Sequence, residues 1–156
     1  MTTSEASRTV AIGSDHAGFQ LKTALRNYLQ QQGYQVLDVG TDSDERVDYP
    51  HFGAAVAQLV AAGEAARGVV VCGSGQGVCM AANKVAGARA GVVRDAQDAE
   101  MIRLHNDANI ACFGERVTDP TTAVAALAVF LDTEFEGGRH QPRVDQLGAL
   151  DRGDVV

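Results

Sequence analysis

The chain has 156 residues, a net charge of −7, 46% hydrophobic residues, 17 glycines and no tryptophan. That is one domain of ordinary size with enough apolar residues for a single covered core. The acidic balance excludes general nucleic-acid or anionic-membrane binding, which need a basic footprint, so any phosphate ligand has to be held by a few local arginines.

Residues 1–8 read as a polar, loose tail. They lack the basic head and apolar stretch of a signal peptide, and no apolar run in the chain reaches membrane-spanning length, so a cytoplasmic protein is expected. Cys72, Cys79 and Cys112 show no CxxC-type metal spacing and sit in apolar or glycine-rich contexts, which fits a reducing compartment. Thr9–Gly13 (TVAIG) predicts a buried strand. It ends in the polar turn Ser14–Gly18, ahead of an amphipathic helix over Phe19–Gln32 with Leu21, Leu25, Tyr28 and Leu29 at helical spacing. Asp15 and His16 therefore fall at the carboxyl end of a strand, the edge where ligands bind in open parallel sheets. From this segment alone, Asp15 is equally a helix cap and His16 a solvated neighbour.

Gln35–Val39 predicts a second strand, and Gly40–Pro50 (GTDSDERVDYP) a charged surface loop that edges a pocket, with Tyr49 as an aromatic wall. Pro50 then opens a helix over His51–Ala62. The acidic residues of that loop depart from the calcium-loop pattern and read as solvated.

Arg67–Lys84 (RGVVVCGSGQGVCMAANK) is the stretch around which the rest is organised. Its unbroken valines predict a parallel strand covered on both faces. Gly73-Ser74-Gly75-Gln76-Gly77 then lets successive backbone N–H groups converge on an anion before a helix over Val78–Lys84. Cys72 sits at the join, where those dipoles favour thiolate over thiol. Taken alone, such a loop also suits a tight turn with a structural cysteine. It is neither a Walker loop, since Val78 and Cys79 follow Gly77, nor a dinucleotide fingerprint, which needs glycine where Val78 stands.

Ala88–Val92 and Ile110–Phe113 predict the fourth and fifth strands, and Ala96–Leu104 a helix ending in His105-Asn106-Asp107. Thr118-Asp119-Pro120 reads as the start of a helix over Thr121–Phe135. Beyond Gly137-Gly138, Arg139 and Arg143 flank a turn before a C-terminal helix and form either a phosphate fork or a solvated basic turn. Strands alternating with helices predict an α/β fold, a doubly wound α/β/α sandwich on a five-stranded parallel sheet of Rossmann-like type. One domain over residues 9–147 and a frayed tail over 148–156 complete the expectation.

These pieces coincide. SDHAGFQLK, GTDSDERVDYPH, CGSGQGVCMAANK, RLHNDANI, FGERV and EGGRHQPRV, in this order over about Val10 to Leu147, resemble the type B ribose-5-phosphate isomerases, which group with the galactose-6-phosphate isomerase subunits. The resemblance implies aldose–ketose isomerisation of a sugar phosphate without metal or organic cofactor. It matches Cys72 to the family's catalytic cysteine, His105 to its ring-opening histidine, and Asp15 with His16 to its substrate-binding pair. Gly73, Ser74, Gly75, Gln76 and Gly77 match the anion hole, with Asn106 beside His105. Arg116, Arg139 and Arg143 match the positive contacts, the last two as phosphate ligands, and Tyr49 a residue lining the sugar pocket. Members that use a glutamate just beyond the glycine loop lack the cysteine; here that position is Val78, which indicates the cysteine branch.

On this reading Cys72 is the base, the loop N–H groups stabilise the enediolate, Ser74 relays a proton, and His105 opens the sugar ring with Asp15 as a partner. His105 follows a helix that has returned from the edge carrying Cys72. A homodimer with shared sites, or a dimer of dimers, is therefore expected. Hexose 6-phosphates such as galactose or allose 6-phosphate, and a tetrulose 4-phosphate, are alternative substrates. A non-catalytic phosphate- or nucleotide-sensing module is the alternative outside enzymes.

Overall fold

The computed structural model describes residues 7–156, so the first six residues of the expected tail lie outside the described residues. Five strands, β1 (Thr9–Ser14), β2 (Gln35–Asp38), β3 (Arg67–Cys72), β4 (Ala90–Val92) and β5 (Ile110–Gly114), form one sheet in the order β2-β1-β3-β5-β4. Every neighbouring pair is parallel. Parallel neighbours need crossovers, and helices provide them. Helix α1 (Phe19–Gln31) leads to β2, α2 (Tyr49–Ala61) to β3, α3 (Gln76–Ala82) to β4 and α4 (Ala96–Asn106) to β5. After β5 come α5 (Pro120–Asp132) and α6 (Gln141–Asp151).

Alternation along the strands divides the core in two. Val10, Ile12, Val69, Val71, Ala111 and Phe113 face Leu21, Leu25 and Leu29 of α1 and Ala126, Leu127 and Phe130 of α5. The other face, with Ala11, Val70, Cys72, Ile110 and Cys112, packs on Val56 and Ala57 of α2 and on Val78 and Ala82 of α3. The three valines of β3 are wholly buried, each worth roughly 2 kcal/mol on transfer from water. That double burial is why β3 reads as an unbroken apolar run and why the layers are α/β/α. Among the described residues, no helix is long and apolar enough to cross a membrane.

Several boundaries differ from expectation for local reasons. Helix α3 starts at Gln76 rather than Val78, because Gly75, at φ +79°, turns the chain directly into it. Helix α4 runs on through His105 and Asn106 and stops only at Asp107, which adopts φ +46°. Strand β4 opens at Ala90, because Arg89 pairs instead with Asn109 through both backbone and side-chain bonds. Helix α5 begins at Pro120, capped by the Asp119 carboxylate accepting from Thr122 N–H at 3.0 Å, and ends at Asp132. Residues after Gly148 were expected to fray, yet α6 continues to Asp151, whose carboxylate accepts from Gly87 N–H at 2.8 Å.

β1 and β3 are adjacent, while β2 lies on one side of them and β5 and β4 on the other. Connections leaving β1 and β3 therefore diverge and open a crevice beyond their carboxyl ends, where Ser14 is paired with Val71.

Candidate active site

At that crevice the chain leaves β3 through Cys72. Its side chain is buried, and its Sγ accepts from Gly75 N–H at 3.2 Å. The loop proper is Gly73-Ser74-Gly75; Gln76 and Gly77 belong to the first turn of α3. The end of β5 clamps the loop, since Glu115 N–H donates to Cys72 O at 2.9 Å and Arg116 N–H to Gly73 O at 3.0 Å. Its glycines are imposed by close neighbours. A Cβ on Gly73 would meet the Arg116 guanidinium at 2.8 Å, and one on Gly77 the Tyr49 ring at 2.7 Å. Arg116 and Tyr49 thus stand against the loop from two sides, while Ser74 Oγ accepts from Gln76 N–H at 3.2 Å.

Asp15 is buried next to this loop, with its backbone N–H on Val71 O and its carboxylate capping the 3-10 turn His16–Gly18 through Gly18 N–H at 3.0 Å. The His16 imidazole is anchored to the charged loop, with Nδ1 3.2 Å from Val47 N and 3.1 Å from Val47 O. Asp15, His16, Tyr49, Cys72, Gly73, Ser74, Gly75, Gln76, Gly77 and Arg116 therefore share one edge of the sheet.

His105, Asn106, Arg139 and Arg143 are at the other. Helix α4 runs antiparallel to the strands and delivers His105 and Asn106 next to the start of β5, where Ile110 pairs with Gly68. Cys72 pairs with Gly114, four residues along, so the two groups are separated by about 13 Å of strand or more. Arg103 and Arg89 hold that helix end. Buried Arg103 donates to Asp107 Oδ1 (2.8 Å), Ala108 O (2.7 Å) and Thr133 O (3.0 Å), and Arg89 bridges Asp107 Oδ2 at 3.2 Å.

His105 does not stand alone there. Its ring stacks on that of buried His140 with centroids 4.4 Å apart and planes at 20°. His140 Nε2 lies 3.3 Å from Glu136 Oε2 and accepts from Arg139 Nε at 3.3 Å. Loss of hydration, then the charges of His105 and Arg139, hold the His140 imidazole below the ordinary histidine value. Arg139 occupies a 3-10 turn and Arg143 the first turn of α6, both exposed.

Three residues outside the sequence expectation support the first edge. Lys22 is wholly buried and donates to Asp38 Oδ1 at 2.7 Å and Thr41 O at 2.6 Å. Burial opposes ionisation of Asp38, but Lys22, Gly40 N–H and Arg26 prevail and hold its carboxyl below the ordinary carboxylate value. The pinned corner bonds β1 through Gly40 O and Thr41 N, both to Ser14, just before Asp15. Glu115, the third, caps α1 by accepting from Leu21 N–H at 2.7 Å. Lys22 stands beside Leu21 and Leu25 on α1, where a lysine reads as a helix former and not as a buried charge. Glu136 carried no signal, being far from His105 in sequence. A cavity of about 410 Å³ opens beside Asn106, between Arg89 and Leu147. Asn106 lines it, and neither Cys72 nor His105 does.

A family model described as Ribose/Galactose Isomerase matches residues 10–147. The Escherichia coli (strain K12) protein named ribose-5-phosphate isomerase B is 43% identical, covering 93% of this chain and 97% of its own. The solved structure of Clostridium thermocellum ribose-5-phosphate isomerase B has a TM-score of 0.91 at 46% identity, covering 93% of this chain and 98% of that one. A Pectobacterium atrosepticum protein named D-erythrulose-4-phosphate isomerase is 38% identical, covering 90% of this chain and 93% of its own.

Proposed function

The chain belongs to the ribose/galactose isomerase family and is an aldose–ketose isomerase of sugar phosphates; from that premise we propose that it interconverts ribose 5-phosphate and ribulose 5-phosphate through an enediolate. The observation that carries the reading is the buried Cys72 sulfur, with Gly75 N–H aimed at it across 3.2 Å, in the crevice shared with Asp15, His16, Tyr49 and Arg116.

Cys72 takes the proton from carbon 2 of the open aldose. The electron pair moves into the carbon 1–carbon 2 bond and charge collects on the carbonyl oxygen. Backbone donors of the Gly73–Gly77 segment and the Arg116 guanidinium meet that charge, at about 3 kcal/mol for a well-placed donor. The Ser74 hydroxyl carries the proton from oxygen 2 to oxygen 1, and Cys72 returns its proton to carbon 1, giving the ketose. Before this, His105 opens the ring by moving the proton between the ring oxygen and the carbon 1 hydroxyl, with Asn106 beside it. Asp15 and His16 hold sugar hydroxyls, Tyr49 walls the pocket, and Arg139 with Arg143 bind the phosphate. The chemistry assigned here needs no metal or organic cofactor.

Two groups of residues at opposite sheet edges make one site only across two copies. The functional unit is then a homodimer, each site taking Asp15, His16 and Cys72 from one protomer and His105, Arg139 and Arg143 from its partner. Mixing inactive Cys72→Ala and His105→Ala chains under conditions that exchange protomers restores about a quarter of wild-type activity, because half the dimers carry one intact site. Activity that stays absent after demonstrated exchange rejects the shared site.

The substrate is tested by following solvent deuterium into sugar phosphates of four, five and six carbons, with ribose 5-phosphate expected to give the highest kcat/KM. Absence of exchange with all of them defeats the mechanism. The Pectobacterium relative supports erythrulose 4-phosphate as the second reading, and the same panel separates the two.

A further inference from the structure

Beside the catalytic apparatus, His105, Glu136 and His140 form a cluster whose ligand atoms all lie within 4.8 Å of one another. Two imidazoles and a carboxylate are a donor set suited to a borderline divalent ion, which leaves a fourth position open. Donors around a tetrahedral zinc ion sit about 3.4 Å apart. His140 Nε2 and Glu136 Oε2 already meet that spacing at 3.3 Å. Closing the rest requires half-buried His105 to swing out of its stack on His140, in which the ring planes lie at 20° and the lone pairs run side by side, and exposed Glu136 to turn with it.

The cluster is built rather than accidental. The Glu136 backbone N–H donates to Leu104 O at 3.1 Å, which ties the segment after α5 to the last turn of α4, immediately before His105. His140 is buried and its ring is held against that of His105. Besides the stack, Arg139 opposes an ion, since its Nε donates to His140 Nε2, and Arg143 adds positive charge nearby; both side chains are exposed.

We propose that His105, Glu136 and His140 form a binding site for a divalent transition ion of the Zn²⁺ type, and that the ion inhibits the isomerase by occupying the lone pair that His105 needs for ring opening. The inhibitory consequence rests on the role given to His105 under the proposed function; the binding site does not. Binding forms three coordinate bonds and exchanges bound water, with no redox step.

The test is titration of Co²⁺ into the purified full-length protein, followed by visible absorption. One equivalent per chain is expected to give the intense bands of a tetrahedral site. Glu136→Gln weakens binding by more than about tenfold, since loss of even an outer-shell partner has an effect of that order. Glu136 is exposed, so this variant folds; His140→Ala, checked by circular dichroism, gives the same loss. Zn²⁺ then suppresses turnover of ribose 5-phosphate by wild-type protein, reversibly with chelator, and spares Glu136→Gln. Absence of the bands, their persistence in Glu136→Gln, or a near-ultraviolet thiolate charge-transfer band placing the ion on cysteine overturns the site. Co²⁺ binding without Zn²⁺ inhibition overturns the inhibition. If no sugar phosphate turns over at all, the isomerase reading has failed, and the Co²⁺ titration still decides the site.

Discussion

Replacing Gly114 with alanine tests whether the loop after Cys72 is held by contact. Gly114 ends β5 directly beneath Ser74. A Cβ there would lie 2.5 Å from Ser74 C, 2.6 Å from its carbonyl oxygen and 3.0 Å from its Cα. Ordinary contact begins near 3.4 Å, so the loop backbone has to rise by about 0.9 Å. It cannot do so freely, because Cys72 O and Gly73 O are bonded to Glu115 and Arg116 at 2.9 and 3.0 Å. Overpacking of this kind costs about 1–3 kcal/mol, or roughly 3–10 °C in Tm for a chain of this size. A misplacement near 1 Å of groups that meet developing charge lowers kcat by about 100-fold. KM is expected to change less, since the proposed phosphate ligands Arg139 and Arg143 lie at the other sheet edge. The assay pairs thermal melting with steady-state ribulose 5-phosphate formation. Gly148→Ala is the control, because its nearest neighbour is an arginine tip at 3.6 Å and a helical glycine replaced by alanine is neutral to stabilising. Wild-type kcat and Tm in Gly114→Ala would show that contact does not hold the loop.

Cys72→Ala should abolish exchange of the carbon-bound proton while the variant still binds inorganic phosphate; measurable exchange would move the base elsewhere. Arg143→Ala should raise KM strongly and lower kcat less, read from initial rates. Lys22→Met leaves Asp38 with only Arg26 and Gly40 N–H, and urea unfolding should show a loss of about 3 kcal/mol, the lower end for breaking a buried pair because Asp38 is partly exposed. The same network sets an acid limb. With its folded pKa depressed, Asp38 is less protonated folded than unfolded; its stabilisation is present above about pH 4 and lost as pH falls through its folded value. Asp38→Asn should flatten urea-unfolding stability below pH 4, and an unchanged limb would assign it to other carboxylates.

Much of the fold was legible because its cause is local. The valine run of β3 announces a doubly covered strand, and the Asp119-Pro120 pair announces a helix start that the Thr122 bond realises. Asp15 and Cys72 were placed at one sheet edge by the same logic, since a strand followed by a polar turn has only one end to put them at. What escaped depended on distance in the chain. No periodicity links Glu136 to His105, and the stack of His105 on His140 arises only when the segment after α5 folds back on α4. Lys22 was hidden differently: a lysine on an apolar stripe reads as a helix former that reaches out to water, and only the Asp38 and Thr41 oxygens opposite turn it inward. Helix ends moved where one backbone angle decided the matter, as at Gly75 and Asp107.

The corner at Asp107 has a wider implication. Around Cys72 the loop is set by backbone contacts and backbone hydrogen bonds, and the ion pair behind it uses the wholly buried Lys22, which dissolved ions hardly reach. Around His105 it is set by a carboxylate shared between two guanidiniums, one of them, Arg89, about a quarter exposed, and electrolyte screens that tie. The two ends of the molecule thus answer to different variables, crowding of side chains at one and ionic strength at the other.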